Sequence, residues 1–298
     1  MAYLLQQLAN AVPLSALYAT LAFGYVIGFA LTKRADIAYG AIFAFSGHLY
    51  VLFAQLGWDE FWLVLPAALA MGAGAAIVGG VATGIVVGGL TLRLIERHTR
   101  NAPIVAALGV LLVLMEGARL ASGSREIWLS PFLNRAVPLW AGHSFAITLT
   151  LIQLLNTGLM LAMIAAGWLV IDHTSLGRIW RAVADDKIVA QLCGISSRLV
   201  FVLAYAAASL YASVAGVLAT SYYGTMDFGA GLLISIKIVL IAAAGGHSHP
   251  LRSAAGAAAV GFAETLWSGY GPILWRDFAI GLMLVAVLVI SRRERVVL

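Results

Sequence analysis

With 298 residues the chain is long enough for one or two soluble domains, but 62% of it is hydrophobic and only 10% charged, against about 25% charged in ordinary globular proteins. A mean hydropathy of +0.97 leaves too few polar groups to cover a soluble surface, so soluble enzymes, nucleic-acid binders and disordered chains are excluded and bilayer hydrocarbon becomes the solvent for most of the sequence. The net charge of +5 must be interpreted from where the bases fall, and the single cysteine, Cys193, excludes an internal disulfide.

The first 13 residues carry no Lys or Arg and lead into a long apolar run, which fits a retained first span rather than a signal peptide. Residues 14–31 are uncharged, are closed by Lys33 and Arg34, and as a helix reach roughly 27 Å, close to the hydrocarbon thickness. Residues 37–57 form the second span and contain His48, expected to be a satisfied intramembrane histidine because no second titratable group accompanies it there. Residues 61–92 are uncharged but would be roughly 48 Å long as one helix, so they must tilt, project beyond the bilayer, or break near Gly79-Gly80. Residues 103–120 follow, with Glu116 expected at an interface.

The stretch 121–143, with Trp128, Pro131, Pro138 and Trp140, is the one long outer segment and is suited to the membrane surface. Residues 144–171, 199–224, 231–245, 253–270 and 278–290 complete the apolar runs. The expectation is an all-α, polytopic membrane protein with about nine spans, forming a single transmembrane domain over residues 1–298.

Cytoplasmic loops hold an excess of Lys and Arg. With the N-terminus outside and the C-terminus inside, thirteen of the 18 bases fall within: Lys33, Arg34, Arg93, Arg97, Arg100, Arg178, Arg181, Lys187, Arg198, Arg252, Arg292, Arg293 and Arg295. Arg119, Arg125, Arg135 and Arg276 fall outside, and Lys237 lies in a span. Two crossings in 61–92 would divide the bases more evenly, so an odd count is favoured. Trp58, Trp62, Trp267 and Trp275 then mark outer interfaces and Trp168 an inner one.

Without a hydrophobic drive between lipid-covered helices, close approach needs small side chains. Gly80, Gly84 and Gly88 lie on one helical face, and Ala254, Ala258 and Gly261 make a looser stripe; static packing is the expected role. Lys237 and Glu264 each lie roughly 10 Å below the outer surface and can pair, fixing two antiparallel helices or facing a zwitterionic solute.

No G-x-x-x-x-G-K-[ST] surrounds Lys33, Lys187 or Lys237, and no G-x-S-x-G elbow, paired carboxylates or metal cluster is found. His247-Ser248-His249 fits a plain turn. No catalytic residue, metal or cofactor is expected on this chain.

The inner connection 172–198 reads as two short helices. Ile179 and Val183 share a face of the first; Asp185 or Asp186 caps the second, where Ile188 and Leu192 share a face; Gly194 closes it in a left-handed conformation. Such a piece suits contact with another protein. Its run Leu176-Gly177-Arg178, Arg181-Ala182-Val183-Ala184-Asp185, Ala190, Leu192 and Gly194-Ile195 resembles the coupling loop of permease subunits of bacterial ABC importers for branched-chain amino acids. The likeness continues through Ala215-Gly216-Val217-Leu218-Ala219, Tyr222-Tyr223-Gly224, Gly231-Leu232 with Lys237, Gly245-Gly246 and Ala255-Gly256-Ala257, and in order but more weakly at Ala16-Leu17-Tyr18-Ala19, Gly24-Tyr25 and Leu108-Gly109.

The resemblance implies a bacterial inner-membrane permease subunit driven through Arg178, Arg181, Ala182, Asp185, Ala190 and Gly194. Its implied partners are a second permease, related or identical, two nucleotide-binding subunits that carry ATP and Mg, and an extracytoplasmic solute-binding protein; nucleic acid is not among them. It also implies branched-chain or other small hydrophobic amino acids as solutes, with urea-like or amide solutes as an alternative. A secondary transporter working on an ion gradient is the rival reading. Two departures stand out: Asp36-Ile37-Ala38-Tyr39-Gly40 replaces an Asn-Phe-Ala-His-Gly-like run, and His247, Ser248, His249, Pro250 and Arg252 replace further glycine after Gly245-Gly246.

Overall fold

A computed structural model describes residues 2–96, 102–141, 146–246 and 249–293; Arg97, Arg100, His143, Ser144, His247, Ser248 and Arg295 lie outside them. In chain order the helices are α1 (Ala2–Thr32), α2 (Ala38–Asp59), α3 (Leu65–Glu96) and α4 (Ala102–Ala121), then an antiparallel hairpin of β1 (Ala136–Ala141) and β2 (Ala146–Thr150). They continue with α5 (Leu151–His173), α6 (Ser175–Asp185), α7 (Lys187–Leu192), α8 (Ser197–Tyr223), α9 (Ala230–Gly245), α10 (Pro250–Tyr270) and α11 (Arg276–Arg293). Each expected span corresponds to one helix. By length and composition α1 to α5 and α8 can cross a membrane, and α9 is a shorter apolar helix.

Three boundaries differ from the sequence reading. First, α1 begins at Ala2, not residue 14, and runs through Pro13; one missing N–H is tolerated where neighbouring helices surround the break. Second, 61–92 neither splits nor breaks at Gly79-Gly80: α3 is one helix of 32 residues. Third, within the run expected to be helical from residue 144, Ala146–Thr150 is strand, where Ile147, Thr148 and Thr150 are β-branched. The helix starts only where a capping box forms: Thr150 Oγ accepts from Gln153 N–H, and Gln153 Oε1 accepts from Thr150 N–H at 2.8 Å.

At the centre is α1, with 72% of its apolar window buried against 17% for α4. Around it α2, α8, α9 and α10 share one core containing Leu21, Val26, Phe43, Ala212, Ile241 and Ala257. The glycine stripe of α3 faces α8: a Cβ on Gly80 would overlap Ser213 Oγ, one on Gly84 would overlap Ser209 Oγ, and one on Gly88 would come within 2.6 Å of Tyr205 Cβ. On α10, Gly261 meets Ser15 of α1 in the same manner, its Cβ falling 2.6 Å from Ser15 Cα. Buried hydroxyls turn back to their own helix, as Ser209 does to the Tyr205 carbonyl, or pair across helices, as Ser46 does with Ser213 at 3.0 Å. These hydroxyls are thereby satisfied where no water reaches them, while those of Ser15, Thr157 and Thr220 have no partner among the described residues.

The two ends of the bundle differ. At one, the hairpin is pinned to α1 by a two-way bond between the Gln6 side chain and the Thr148 backbone, at 2.9 and 3.1 Å, and Leu129 N–H donates to the Gly224 carbonyl at 2.8 Å. At the other, α6 and α7 form an elbow that packs against α8, with α6 also touching α5 and α1.

Candidate functional site

Both short helices expected in 172–198 are present. The side chain of Thr174 accepts from Gly177 N–H and starts α6. Asp186, rather than Asp185, caps α7 by accepting from Ile188 N–H at 2.8 Å and Val189 N–H at 3.1 Å. A Schellman closure ends α7: Ile195 N–H reaches the Ala190 carbonyl and Gly194 N–H the Gln191 carbonyl, with Gly194 at φ +83°. A residue with a Cβ is strained at that φ.

The elbow divides into an anchored side and an open side. Val183 and Ala190 are buried, Gly177 sits so close to the Ile171 backbone that no Cβ fits, and Arg181 Nη1 pairs with Asp172 of α5 at 3.2 Å. The anchor that sequence reasoning missed is Trp180, whose Nε1–H donates to the Ile27 carbonyl of α1 at 3.1 Å. On the open side Arg178, Asp185 and Gly194 are exposed, beside apolar side chains with no cover: Leu176, Ile188, Val189 and Leu192, the last 83% exposed. Ala182 is half-buried between the two sides. His249, expected in a plain turn, brings Nε2 to 3.9 Å from Asp172 Oδ1.

A second cluster joins α1, α9, α10 and α11. Lys237 and Glu264 come together at 2.7 Å, and Glu264 is 5% exposed. Tyr18 donates its hydroxyl to Glu264 at 2.9 Å, and Arg276 Nε lies 3.8 Å from the same carboxylate. Asp277 is 3.9 Å from Lys237. Two acids thus face two bases, and the carboxylate is held by a hydroxyl as well as by charge, the arrangement that makes a buried ion pair tolerable. Glu116 stands apart, paired with Arg119 on its own exposed face.

His48 needs correction. Its ring stacks on Phe228 at a centroid distance of 4.9 Å, and Asp227 lies beside it because the α8–α9 connection folds back over α2. A second titratable group is therefore present, while Nε2 has no partner among the described residues. Asp36, in the connection between α1 and α2, accepts from Ala38 N–H at 2.9 Å and from the Tyr205 hydroxyl. Desolvation pushes its carboxyl above the ordinary range despite those bonds.

Comparison with known proteins matches the chain to a family model. The model described as branched-chain amino acid transport system / permease component covers residues 7–288. The chain is similar to the high-affinity branched-chain amino acid transport system permease protein LivH of Escherichia coli (strain K12), 27% identical over 292 residues, 97% of this chain and 94% of that protein. It is also similar to BraD of Pseudomonas aeruginosa, described in the same words, at 26% over 289 residues, 95% and 93% of the two chains. The galactofuranose transporter permease protein YtfT of Escherichia coli (strain K12) is 28% identical over 236 residues, 77% of this chain and 61% of that one. No solved structure gives a significant match. A match running almost end to end, on a chain of apolar helices long enough to cross a membrane, shows that the protein belongs to the branched-chain amino acid transport system permease family and is a multi-pass membrane transport subunit, not an enzyme.

Proposed function

We propose that the chain is the transmembrane subunit of an ATP-driven importer of branched-chain or similar small hydrophobic amino acids in the bacterial inner membrane. The observation that carries this reading is the elbow: apolar side chains left uncovered beside Arg178, on a helix fastened to the most buried span through Trp180. Nucleotide-binding subunits seat on Leu176, Ile188, Val189 and Leu192; their closure on ATP moves α6, and the Trp180–Ile27 bond passes that movement to α1. Arg178, Arg181, Ala182, Asp185, Ala190 and Gly194 form or support this contact. ATP and Mg belong to those partners, a second permease completes the pathway, and a solute-binding protein delivers on the hairpin side. The elbow end holds Lys33, Arg34, Arg93, Arg178, Arg181, Lys187, Arg198 and Arg252, which supports its being cytoplasmic, with the N-terminus outside and nine crossings.

The amino-acid substrate is taken from the relatives' names, and relatives named for sugars make fructose the natural competitor. The test is uptake of labelled leucine into proteoliposomes holding the chain with the permease and nucleotide-binding proteins encoded beside it. Uptake that requires ATP and the binding protein, and resists fructose, is the expected result. Uptake driven by an ion gradient without ATP overturns the reading in favour of a secondary carrier.

A further inference from the structure

Near the hairpin end, α1, α5, α8 and Thr265 of α10 line a partly open cavity of about 160 Å³. One water needs only about 10–15 Å³ of such space, so a small solute fits, and the volume lies below the ~300–1,000 Å³ of drug-sized sites. Leu14, Leu17, Met160 and Leu218 form its apolar wall, and Asn10, Asn156 and Tyr222 supply polar groups. Tyr222 and Tyr223, whose rings meet at 4.9 Å, also line a wider cavity of about 440 Å³ beneath the 128–134 segment. The inner chamber therefore adjoins a vestibule at that end of the bundle.

The orientation of each polar group is fixed by the backbone. Asn156 is 8% exposed, and its Nδ2 donates to the Leu218 carbonyl at 2.8 Å and to Ser221 Oγ at 3.1 Å. A carbonyl only accepts, so the nitrogen must face it and Oδ1 is left as an acceptor without a protein hydrogen bond among the described residues, on a residue that lines the cavity. Gln153 Oε1 accepts from Thr150 N–H, which only donates; its Nε2 must then donate to Tyr222 Oη, at 3.0 Å, leaving the Tyr222 hydrogen free to be given. Gln6 is oriented likewise by the Thr148 backbone and donates to Asn10 Oδ1 at 2.9 Å, so Asn10 Nδ2 is a second free donor. One acceptor and two donors border an apolar chamber.

We infer that this chamber is a binding site for one zwitterionic amino acid, its ammonium on Asn156 Oδ1, its carboxylate on the Tyr222 hydroxyl and Asn10 Nδ2, and its aliphatic side chain against Leu17, Met160 and Leu218. The inference rests on the transport reading above and adds where the solute pauses and which atoms select it. An apolar amine lacking the carboxylate loses two donors; a sugar offers no ammonium and leaves the wall unfilled.

The test is saturation-transfer NMR on the full-length chain in nanodiscs, with L-leucine, isoamylamine and fructose as probes, beside leucine uptake by cells expressing the importer. Saturation should reach the leucine methyls and not fructose. Tyr222→Phe, which deletes one hydroxyl from a half-exposed ring, should weaken leucine about tenfold, the loss of one charge-assisted hydrogen bond. Isoamylamine should bind wild type and Tyr222→Phe equally, a selectivity that mere loosening of the fold would not produce. Met160→Trp should abolish the leucine signal. Equal leucine saturation in wild type and Met160→Trp, or none in a wild-type chain whose cells import leucine with ATP, overturns the site alone; absence of both binding and uptake overturns the transport reading with it.

Discussion

The indole N–H of Trp180 donates to the carbonyl of Ile27, 3.1 Å away, so the surface elbow and the central helix share a hydrogen bond. Ile27 lies little more than one turn before the end of α1, so its carbonyl belongs to the helical ladder and takes the indole hydrogen on its second lone pair. Trp180→Phe keeps an aromatic ring but deletes the donor, a loss of about 1 kcal/mol in folding. The expected outcome is a normally inserted protein whose complex hydrolyses ATP while leucine uptake falls several-fold, measured as uptake per ATP.

Gly194→Val should be more severe. A β-branched residue at φ +83° is a backbone outlier, and the closure that ends α7 would be lost, turning the apolar side chains of Ile188 and Leu192. Uptake should vanish with membrane insertion retained. Gly194→Asn, which tolerates the left-handed conformation, should restore most of it.

Glu264 is almost fully enclosed, so removing Lys237 leaves its charge to the more distant Arg276 alone. Lys237→Met should cost about 3–5 kcal/mol, seen as lower thermal stability in detergent. Lys237→Met combined with Glu264→Gln should recover a large part of that loss, and the double-mutant cycle measures the coupling.

Asp36 gives a pH dependence of known sign. Its carboxyl titrates above the ordinary range in the folded chain because of desolvation, so the folded state holds the proton more tightly than the unfolded one. That contribution to stability is complete below the unfolded value near ~3.9 and is lost as pH rises through the higher folded value. Asp36→Asn keeps the acceptor for Ala38 N–H and removes the titration. Thermal unfolding should show the variant flatter than wild type above about pH 4 and at least as stable near neutrality.

Much of this was legible in the sequence. Every apolar run contains a helix, because bilayer length and the absence of charge leave few alternatives, although among the described residues only six of these helices are long and apolar enough to cross; the elbow could be read from Asp186, Gly194 and the spacing of Ile179 and Val183. The glycine face of α3 and the Lys237–Glu264 pair followed from helical periodicity and the cost of buried charge. What escaped depends on chain segments remote in sequence. The hairpin was hidden because Ile147 to Thr150 is as apolar as the helix it precedes. Asp227 reaches His48 only because a connection folds back, and Trp180 meets a carbonyl 153 residues away in the chain, which no local pattern signals. The cavity at Asn156 needs residues of four helices at once, though an Asn and a Gln inside an apolar run were a signal that could have been followed.

The central claim is that the elbow is cytoplasmic and receives the ATP-binding subunits, and the chain carries its own probe. Cys193, the single cysteine, is exposed between Leu192 and Gly194. A membrane-impermeant maleimide should leave it unlabelled in intact cells, label it in inverted vesicles stripped of partner subunits, and label it far more slowly when those subunits are bound. Labelling of Cys193 from outside intact cells, or equal labelling with and without the nucleotide-binding subunits, would contradict the account.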